Sequence, residues 1–164
     1  MLWMNAMNFV DDELYKKAIA YSLFLLARRE YSEKELRIKL TDKYNEEICQ
    51  RVLDYLQANN YQSDERFTDM IVRSYASRGY GHKRILQELS RKGIYISNID
   101  DYVTSSKIDF KDLCRDALRR KLKNNIDLSD YKIKAKLLRY LVSRGFEYDV
   151  CISVLSEYGK TEDC

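Results

Sequence analysis

A short pattern that returns three times constrains the fold of this chain more than any other feature. Each copy carries apolar residues at helical spacing, then a basic residue and a bend, over Glu35–Tyr44, Ile85–Ile94 and Leu137–Phe146. One slot of the pattern always holds leucine and recurs about every 50 residues. It is occupied by Leu40, Leu89 and Leu141. A period of this length is typical of stacked helical units, which present an extended binding face rather than one deep catalytic pocket. We therefore expect a binding protein rather than an enzyme.

The composition favours an all-α fold. The 164 residues include no proline and only five glycines, while 45% are hydrophobic and 34% are charged. Helix-breaking residues are scarce, and the apolar material is sufficient for a core, which excludes a disordered chain. Each repeat is predicted to hold a long, a short and a medium helix. A set this small cannot bury its apolar side alone, so neighbouring repeats are expected to pack together.

Capping residues predict where the helices begin and end. Asp11 and Asp12 are candidates to cap the first helix, Ser32 and Glu35 form a capping box for the second, and Gly79 suits a left-handed helix end. Further helices are predicted over residues 46–58, from 63 or 64 to 78, over 83–91 and over 97–105, with three more in the last repeat. The predicted boundaries are 1–10 for an N-terminal extension and 11–60, 61–106 and 107–164 for the three helical repeats.

The apolar spacing also predicts which side chains face the core. In the last repeat the inward positions are Phe110, Leu113 and Ala117, then Lys134, Leu137 and Leu141, then Val150, Val154 and Leu155. In the second repeat they include Phe67, Ile71, Tyr75, Ile99 and Val103. The repeated leucine slot is interpreted as core, because apolar residues at i and i+4 of a helix usually pack.

The formal charge is only +3, but the second half of the chain is basic. Between Lys111 and Arg144, eleven basic residues stand against four acidic ones. Such a distribution suits a surface that meets a polyanion, although the exposed faces of ordinary helices carry charge as well. The candidate contact residues for such a partner are Arg73, Arg78, Lys83, Arg84, Arg91, Lys92, Lys111, Arg115, Arg119, Arg120, Lys132, Lys134, Lys136, Arg139 and Arg144.

Each repeated pattern ends in a cation, and two interpretations of that cation remain open. Lys43, Lys92 and Arg144 either compensate the dipole at a helix end or form a row of charges for a regularly charged partner. The nearby tyrosines either stack on bases or anchor a core or a protein interface. They are Tyr75, Tyr80, Tyr131 and Tyr140.

The sequence offers no catalytic, cofactor or metal site. It contains no phosphate-binding glycine loop, and the one histidine, His82, is expected to be exposed, with only Glu88 nearby as an orienting acid. The four cysteines are too far apart in sequence for a zinc motif. We expect free thiols, with Cys49 and Cys151 buried.

The first ten residues, MLWMNAMNFV, are apolar but have the features of neither a signal peptide nor a membrane span. They are interpreted as a frayed or docked terminus, or alternatively as a partner-binding segment led by Trp3. We expect a monomeric cytoplasmic protein with no membrane contact.

Three stretches resemble the RecX family of bacterial regulators of the RecA recombinase. They are Arg29–Leu40 (REYSEKELRIKL), Tyr61–Phe67 (YQSDERF) and Arg78–Ile94 (RGYGHKRILQELSRKGI), within a region of likeness from about residue 14 to residue 96. The third repeat matches in architecture more than in motif. The chain departs from the family pattern at three turn or packing positions, which are Tyr44, Ser63 and Thr68.

The resemblance implies three tandem three-helix repeats in an elongated, curved array. It also implies a partner, the RecA filament, whose ATP hydrolysis, strand exchange and co-protease activity would be inhibited, and thereby a role in recombination, DNA repair and the SOS response. Single- or double-stranded DNA is a further possible contact. The alternative is a sequence-independent nucleic-acid-binding repeat protein with no RecA partner.

Overall fold

The computed structural model describes residues 2–97, 99, 102, 107–122 and 130–160. These residues form eight α-helices and no strand. The helices are α1 (Leu2–Leu26), α2 (Glu33–Thr41), α3 (Glu46–Ala58), α4 (Asp64–Ser77), α5 (His82–Arg91), α6 (Phe110–Lys121), α7 (Tyr131–Ser143) and α8 (Tyr148–Lys160). Two compact units are distinguished, one of residues 1–70 with 92–94 and the other of residues 71–91 with 95–164. The all-α prediction is confirmed.

The first three helices enclose a core of their own. Helix α1 packs on α3 and α2, and α2 packs on α3. The predicted capping box is present, since Ser32 Oγ accepts from the amide of Glu35 at 3.2 Å and the Glu35 carboxylate accepts from the amide of Ser32 at 3.4 Å. The Asn45 side chain caps α3. The buried side chains here are Ala18, Tyr31, Leu36, Leu40, Ile48, Cys49, Val52, Leu53 and Leu56.

The first helix begins earlier than the sequence predicted. We expected Asp11 or Asp12 to cap it, but α1 already starts at Leu2 and includes both aspartates. The physical reason is that residues 2–10 contain no glycine or proline, so nothing interrupts helical backbone before the aspartates. An aspartate is an optional cap, and it does not by itself force a helix to begin.

Helix α4 begins and ends near the residues that the sequence predicted. Ser63 Oγ accepts from the amide of Arg66 at 3.2 Å and so caps α4. After α4 the chain turns at Gly79, whose φ of +73° is the left-handed value expected there. Phe67, Val72, Ile85 and Leu89 are buried. The helix predicted over residues 97–105, with Val103, lies outside the described residues, of which only 97, 99 and 102 belong to this stretch.

The last three helices form a second core. Helix α6 packs on α8 and α7, and α7 packs on α8. Asp109 caps α6 by accepting from the amides of Lys111 and Asp112, and Asp130 caps α7. The buried members are Cys114, Ala117, Leu118, Leu137, Leu141, Phe146, Cys151, Val154 and Leu155.

One inward prediction in this set was wrong. Lys134 was placed among the core positions of α7, but its side chain is exposed. Ile133 and Leu138 pack against the core instead. Burying an unpaired ammonium group costs several kcal/mol, about what a buried ion loses in solvation, so the helix is oriented with its neighbours inward.

The repeated leucine slot has the core role predicted for it. Leu40, Leu89 and Leu141 are each fully buried. Cys49 and Cys151 are also buried as predicted, and Cys114 joins them, which the sequence pattern did not single out.

Candidate polyanion-binding surface

Six of the fifteen candidate cations are paired with carboxylates of the described residues. The pairs are Lys83–Glu147 (2.8 Å), Arg91–Glu88 (3.7 Å), Lys92–Glu35 (2.7 Å), Lys111–Glu157 (2.7 Å), Arg115–Glu157 (2.9 Å) and Arg119–Asp116 (3.0 Å). Arg115 also contacts Asp112. A cation engaged in this way must give up an existing partner before it can bind an external anion, so these six are weak contact candidates.

Glu157 is the centre of the pairing between α6 and α8. Its Oε2 accepts from Arg115 Nε at 2.9 Å, and its Oε1 accepts from Lys111 Nζ at 2.7 Å and from Arg115 Nη2 at 3.4 Å. The hydrogen bond from Arg115, followed by the one from Lys111, lowers the pKa of Glu157 to about 2. The carboxylate is therefore ionised across the physiological range and forms an ionic bridge between the two helices.

Lys92 ends the second repeated pattern and contacts the capping box of α2. Its Nζ lies 2.7 Å from Glu35 Oε1, and Arg29 Nη1 lies 3.2 Å from Glu35 Oε2. Partial burial alone would raise the pKa of Glu35, but the hydrogen bonds from Lys92 and Arg29 outweigh it and the pKa is lowered. Lys92 is thus part of the internal structure of its unit.

The other two pattern-ending cations have internal partners as well. Lys43 Nζ lies 4.4 Å from the ring centroid of Tyr21. Arg144 donates from Nε to the carbonyl of Gly79 at 3.0 Å and from Nη2 to the carbonyl of Arg78. In all three repeats, therefore, this slot contributes an intramolecular contact in addition to any compensation of a helix dipole.

His82 was expected to be exposed, and the structure contradicts this. Its ring is mostly buried against Phe110, with centroids 5.5 Å apart, and its Nε2 lies 2.7 Å from Glu147 Oε1. The orienting acid is therefore Glu147, not the expected Glu88. The hydrogen bond from Lys83 is the main reason that the pKa of Glu147 is lowered, with His82 adding to it. The sequence could not indicate this contact, because the two residues are 65 positions apart.

Nine candidate cations have no ion pair among the described residues. Two of them, Arg78 and Arg144, donate to backbone carbonyls. The other seven are Arg73, Arg84, Arg120, Lys132, Lys134, Lys136 and Arg139. Arg84 donates from Nη1 to the side-chain oxygen Oε1 of Gln87 at 3.1 Å.

Helix α7 carries the densest group of these unpaired cations. Lys132, Lys136 and Arg139 follow one another at spacings of four and three, which places them on one side of the helix, and all three are exposed. We call these three residues the α7 basic face. The helix sequence from Tyr131 to Ser143 contains no acidic residue. The side chains of the helix itself therefore add only positive charge to this face, as suits binding of a polyanion.

No group of three or more histidine, cysteine, aspartate or glutamate side chains is placed to hold a metal ion in the part of the chain that is described. Nor does any described helix combine the length and apolar character needed to cross a bilayer.

Comparison with known proteins points to one family. Three family models match in chain order: the first three-helix domain of RecX at residues 18–56, the second at 63–102 and the third at 109–155. The regulatory protein RecX of Mannheimia succiniciproducens is 40% identical over 131 residues, which span 79% of this chain and 86% of that protein. RecX of Haemophilus influenzae strain PittEE is 40% identical over 134 residues, with coverage of 80% and 88%. RecX of Actinobacillus pleuropneumoniae serotype 5b is 37% identical over 147 residues, with coverage of 88% and 95%.

Solved structures share the fold. A crystal structure of regulatory protein RecX has a TM-score of 0.76 at 22% identity and covers 91% of this chain and 75% of its own. The crystal structure of RecX from Lactobacillus salivarius has a TM-score of 0.77 at 22% identity, with coverage of 89% and 97%.

Proposed function

This chain belongs to the RecX family of regulatory proteins, and from that premise we propose that it binds RecA filaments and lowers RecA activity. The affected activities would be ATP hydrolysis on DNA, strand exchange and co-protease function. Through them the protein would modulate recombination, DNA repair and the SOS response in the cytoplasm. It would act by binding and would carry out no reaction of its own.

The α7 basic face is the observation that carries this proposal. Its three cations are exposed and unpaired in the described structure, and no acid on the same helix weakens their field. A filament of RecA on DNA is a regularly charged polymer, and a helix with spaced cations complements such a partner. The core residues of α7, Leu137 and Leu141, hold this face outward by anchoring the opposite side of the helix.

RecA ATP hydrolysis on single-stranded DNA tests the proposal. Wild-type protein is expected to lower the rate, and the triple variant Lys132→Gln, Lys136→Gln, Arg139→Gln is expected to need a higher concentration for the same effect. At about 0.5 kcal/mol for each exposed contact, the loss of three contacts corresponds to about a tenfold change. The matched control is Lys16→Gln, Lys17→Gln, Arg28→Gln, which removes the same charges from exposed positions of the first repeat.

Two results would contradict the proposal. One is the absence of inhibition by wild-type protein at micromolar excess over RecA. The other is an equal loss of inhibition in the control variant, which would show that net charge matters and the α7 basic face does not. Tight, steeply salt-dependent DNA binding without any effect on RecA would favour the alternative function, a nucleic-acid-binding repeat protein with no RecA partner.

A further inference from the structure

Cations and tyrosine rings alternate in one cluster of the second compact unit. The guanidinium of Arg78 lies 4.2 Å from the ring centroid of Tyr75 and 5.8 Å from that of Tyr80. That of Arg144 lies 4.0 Å from Tyr80 and 6.0 Å from Tyr140. The two rings next to Arg78 are themselves 5.4 Å apart.

Two more cations extend the cluster from the end of α6. Lys121 Nζ lies 5.0 Å from the ring centroid of Tyr140. The Arg120 guanidinium approaches Gly79, where a Cβ atom would lie 3.6 Å from Arg120 Nη1 and 3.3 Å from Arg144 Nη2. We call this set the arginine–tyrosine cluster; its members are Tyr75, Arg78, Tyr80, Arg120, Lys121, Tyr140 and Arg144. Lys121 was not among the cations selected from the sequence.

No carboxylate in the described part of the chain balances the charge of the cluster. None of its four cations forms an ion pair with a described residue. The preceding turns of α6 differ, since Arg115 and Arg119 each meet an aspartate three positions earlier. On this helix Lys121 therefore contacts the Tyr140 ring, whereas Arg115 and Arg119 contact carboxylates. A ring attracts a cation through its quadrupole but does not neutralise its charge, so four like charges remain close together.

The ring contacts of Arg78 leave most of its hydrogen-bonding edge available, whereas Arg144 already uses Nε and Nη2 on backbone carbonyls. A guanidinium stacked on a ring keeps its planar N–H fork at the rim, which is the geometry that binds a phosphate in bidentate fashion. Arg78 uses only Nε, toward the carbonyl of Ser74 at 3.1 Å. Arg78, Arg120 and Lys121 are all exposed. Because Tyr80 already contacts Arg78 and Arg144, it is better placed to support cations than to stack on a base.

From this geometry we propose that the arginine–tyrosine cluster binds the phosphodiester backbone of a single nucleic-acid strand. Four unbalanced cations call for several phosphates in succession rather than one isolated anion. The proposal rests on the RecA-directed function for its setting, a regulator that meets RecA on DNA, and it names the DNA backbone as the ligand of this cluster. It does not depend on RecA for binding.

Fluorescence anisotropy with a fluorescein-labelled oligothymidylate, without RecA, tests the proposal. The triple variant Arg78→Gln, Arg120→Gln, Lys121→Gln leaves Arg144 to hold the carbonyls of residues 78 and 79. It is expected to weaken binding at low salt about tenfold or more, and to reduce the slope of log affinity against log salt by about 2, or 0.7 for each lost contact. The control variant Lys16→Gln, Lys17→Gln, Arg28→Gln is expected to keep the wild-type slope. Far-ultraviolet circular dichroism and the urea midpoint of each variant check that it is folded.

A pair of substitutions at Tyr80 separates support of cations from general packing. Tyr80→Phe keeps the ring, and its DNA affinity is expected to stay at the wild-type value. Tyr80→Leu removes the ring from beneath two guanidinium groups and is expected to weaken binding several-fold. An oligomer of abasic sites is expected to bind as tightly as oligothymidylate, because the backbone is what the cluster contacts.

Three outcomes would overturn the proposal. If the cluster variant keeps the wild-type DNA affinity and salt slope, the cluster is not the DNA-binding site. If the abasic oligomer fails to bind, the protein contacts the bases and not the backbone. A cluster variant that binds DNA normally but no longer inhibits RecA would assign the cluster to a protein surface. Failure of the proposed RecA-directed function gives a different result from failure of the cluster proposal. In that case the wild-type protein binds DNA through the cluster but leaves the rate of ATP hydrolysis by RecA unchanged.

Discussion

Lys92 Nζ lies 2.7 Å from Glu35 Oε1, so the cation that ends the second repeated pattern meets the acid of the first capping box. The Glu35 carboxylate thereby accepts hydrogen bonds from the Ser32 amide at the start of α2, from Arg29 and from Lys92. Gly93 is close to the same helix turn, because a Cβ atom there would lie 2.9 Å from the Cβ of Lys34. Lys92 and Gly93, which end the second repeated pattern, therefore contact α2 in addition to ending a helix.

Removal of Lys92 is expected to destabilise the protein. Lys92→Met leaves a half-buried Glu35 carboxylate with one cationic partner fewer, and we expect a loss of about 1–2 kcal/mol in the free energy of unfolding. Urea denaturation followed by circular dichroism measures it. Lys16→Met is the control, since the partners of Lys16 are exposed and little change is expected. Equal losses in both variants would contradict a special role for the Lys92–Glu35 pair.

The same pair predicts a dependence of stability on pH. The pKa of Glu35 is lowered in the folded protein, so its contribution is complete above the unfolded value of about 4.3 and disappears as the pH falls through the lower folded value. Between pH 5 and pH 3, about the range of this transition, wild-type protein is expected to lose more stability than Glu35→Gln. Parallel stability curves for the two proteins would count against the pair.

Gly81 and Gly145 bring two backbone segments of the second unit into direct contact. The amide of Gly81 donates to the carbonyl of Arg144 at 2.9 Å, and the amide of Lys83 donates to that of Gly145 at 3.1 Å. A Cβ atom on Gly81 would lie 2.3 Å from the carbonyl oxygen of Gly145, far inside van der Waals contact. Only glycine fits at position 81 without movement of the backbone.

A single methyl group at this contact is expected to be costly. Gly81→Ala forces the two segments apart and is expected to lower the free energy of unfolding by about 2–3 kcal/mol. Gly79→Asn provides the comparison, because asparagine tolerates a positive φ and the neighbours of a Cβ there are the ends of flexible arginines. We expect that variant to lose less than about 1 kcal/mol. Similar urea midpoints for the two variants would show that the close approach at Gly81 is unimportant.

Local patterns predicted the helices well. Residues 46–58 were expected to form a helix, and α3 has these bounds because Ile48, Val52 and Leu56 recur on its buried side and Asn45 caps it. Capping and periodicity act over one or two turns, so a single sequence contains them in full. The start of α1 was wrong for the complementary reason: nothing local distinguishes residues 2–10 from a continuing helix.

Contacts between distant residues could not be predicted in the same way. The second half of the chain was correctly described as rich in cations, but sequence order does not tell which cations meet carboxylates. Glu147 takes His82 and Lys83, and Glu157 takes Lys111 and Arg115. The rings that support cations in the arginine–tyrosine cluster come from separate helices and turns, so their alternation exists only in the folded chain.

The buried thiols are expected to resist alkylation until the protein unfolds. Cys114 and Cys151 lie in one core. The hydrogen bond between the two thiols is the main cause that raises the pKa of Cys114, and burial raises it further. Burial raises the pKa of Cys49 as well. In a Cys164→Ser background, iodoacetamide at about pH 8.5, the ordinary pKa of a free cysteine, is expected to modify native protein slowly and urea-unfolded protein rapidly. Native modification as fast as that of the unfolded chain would contradict this core packing.

The pKa of Glu157 directly tests the ionic bridge between α6 and α8. Its hydrogen bonds from Arg115 and Lys111 lower its pKa to about 2, so its side-chain carbon resonance in an NMR titration is expected to remain that of the ionised form down to nearly this pH. In Arg115→Gln the main donor is lost, and the pKa of Glu157 is expected to rise toward the ordinary glutamate value of about 4.3. High salt is expected to raise it in the wild-type protein too, since both donors are partly exposed. If neither Arg115→Gln nor high salt changes the pKa of Glu157, α6 and α8 are held together by their apolar core alone.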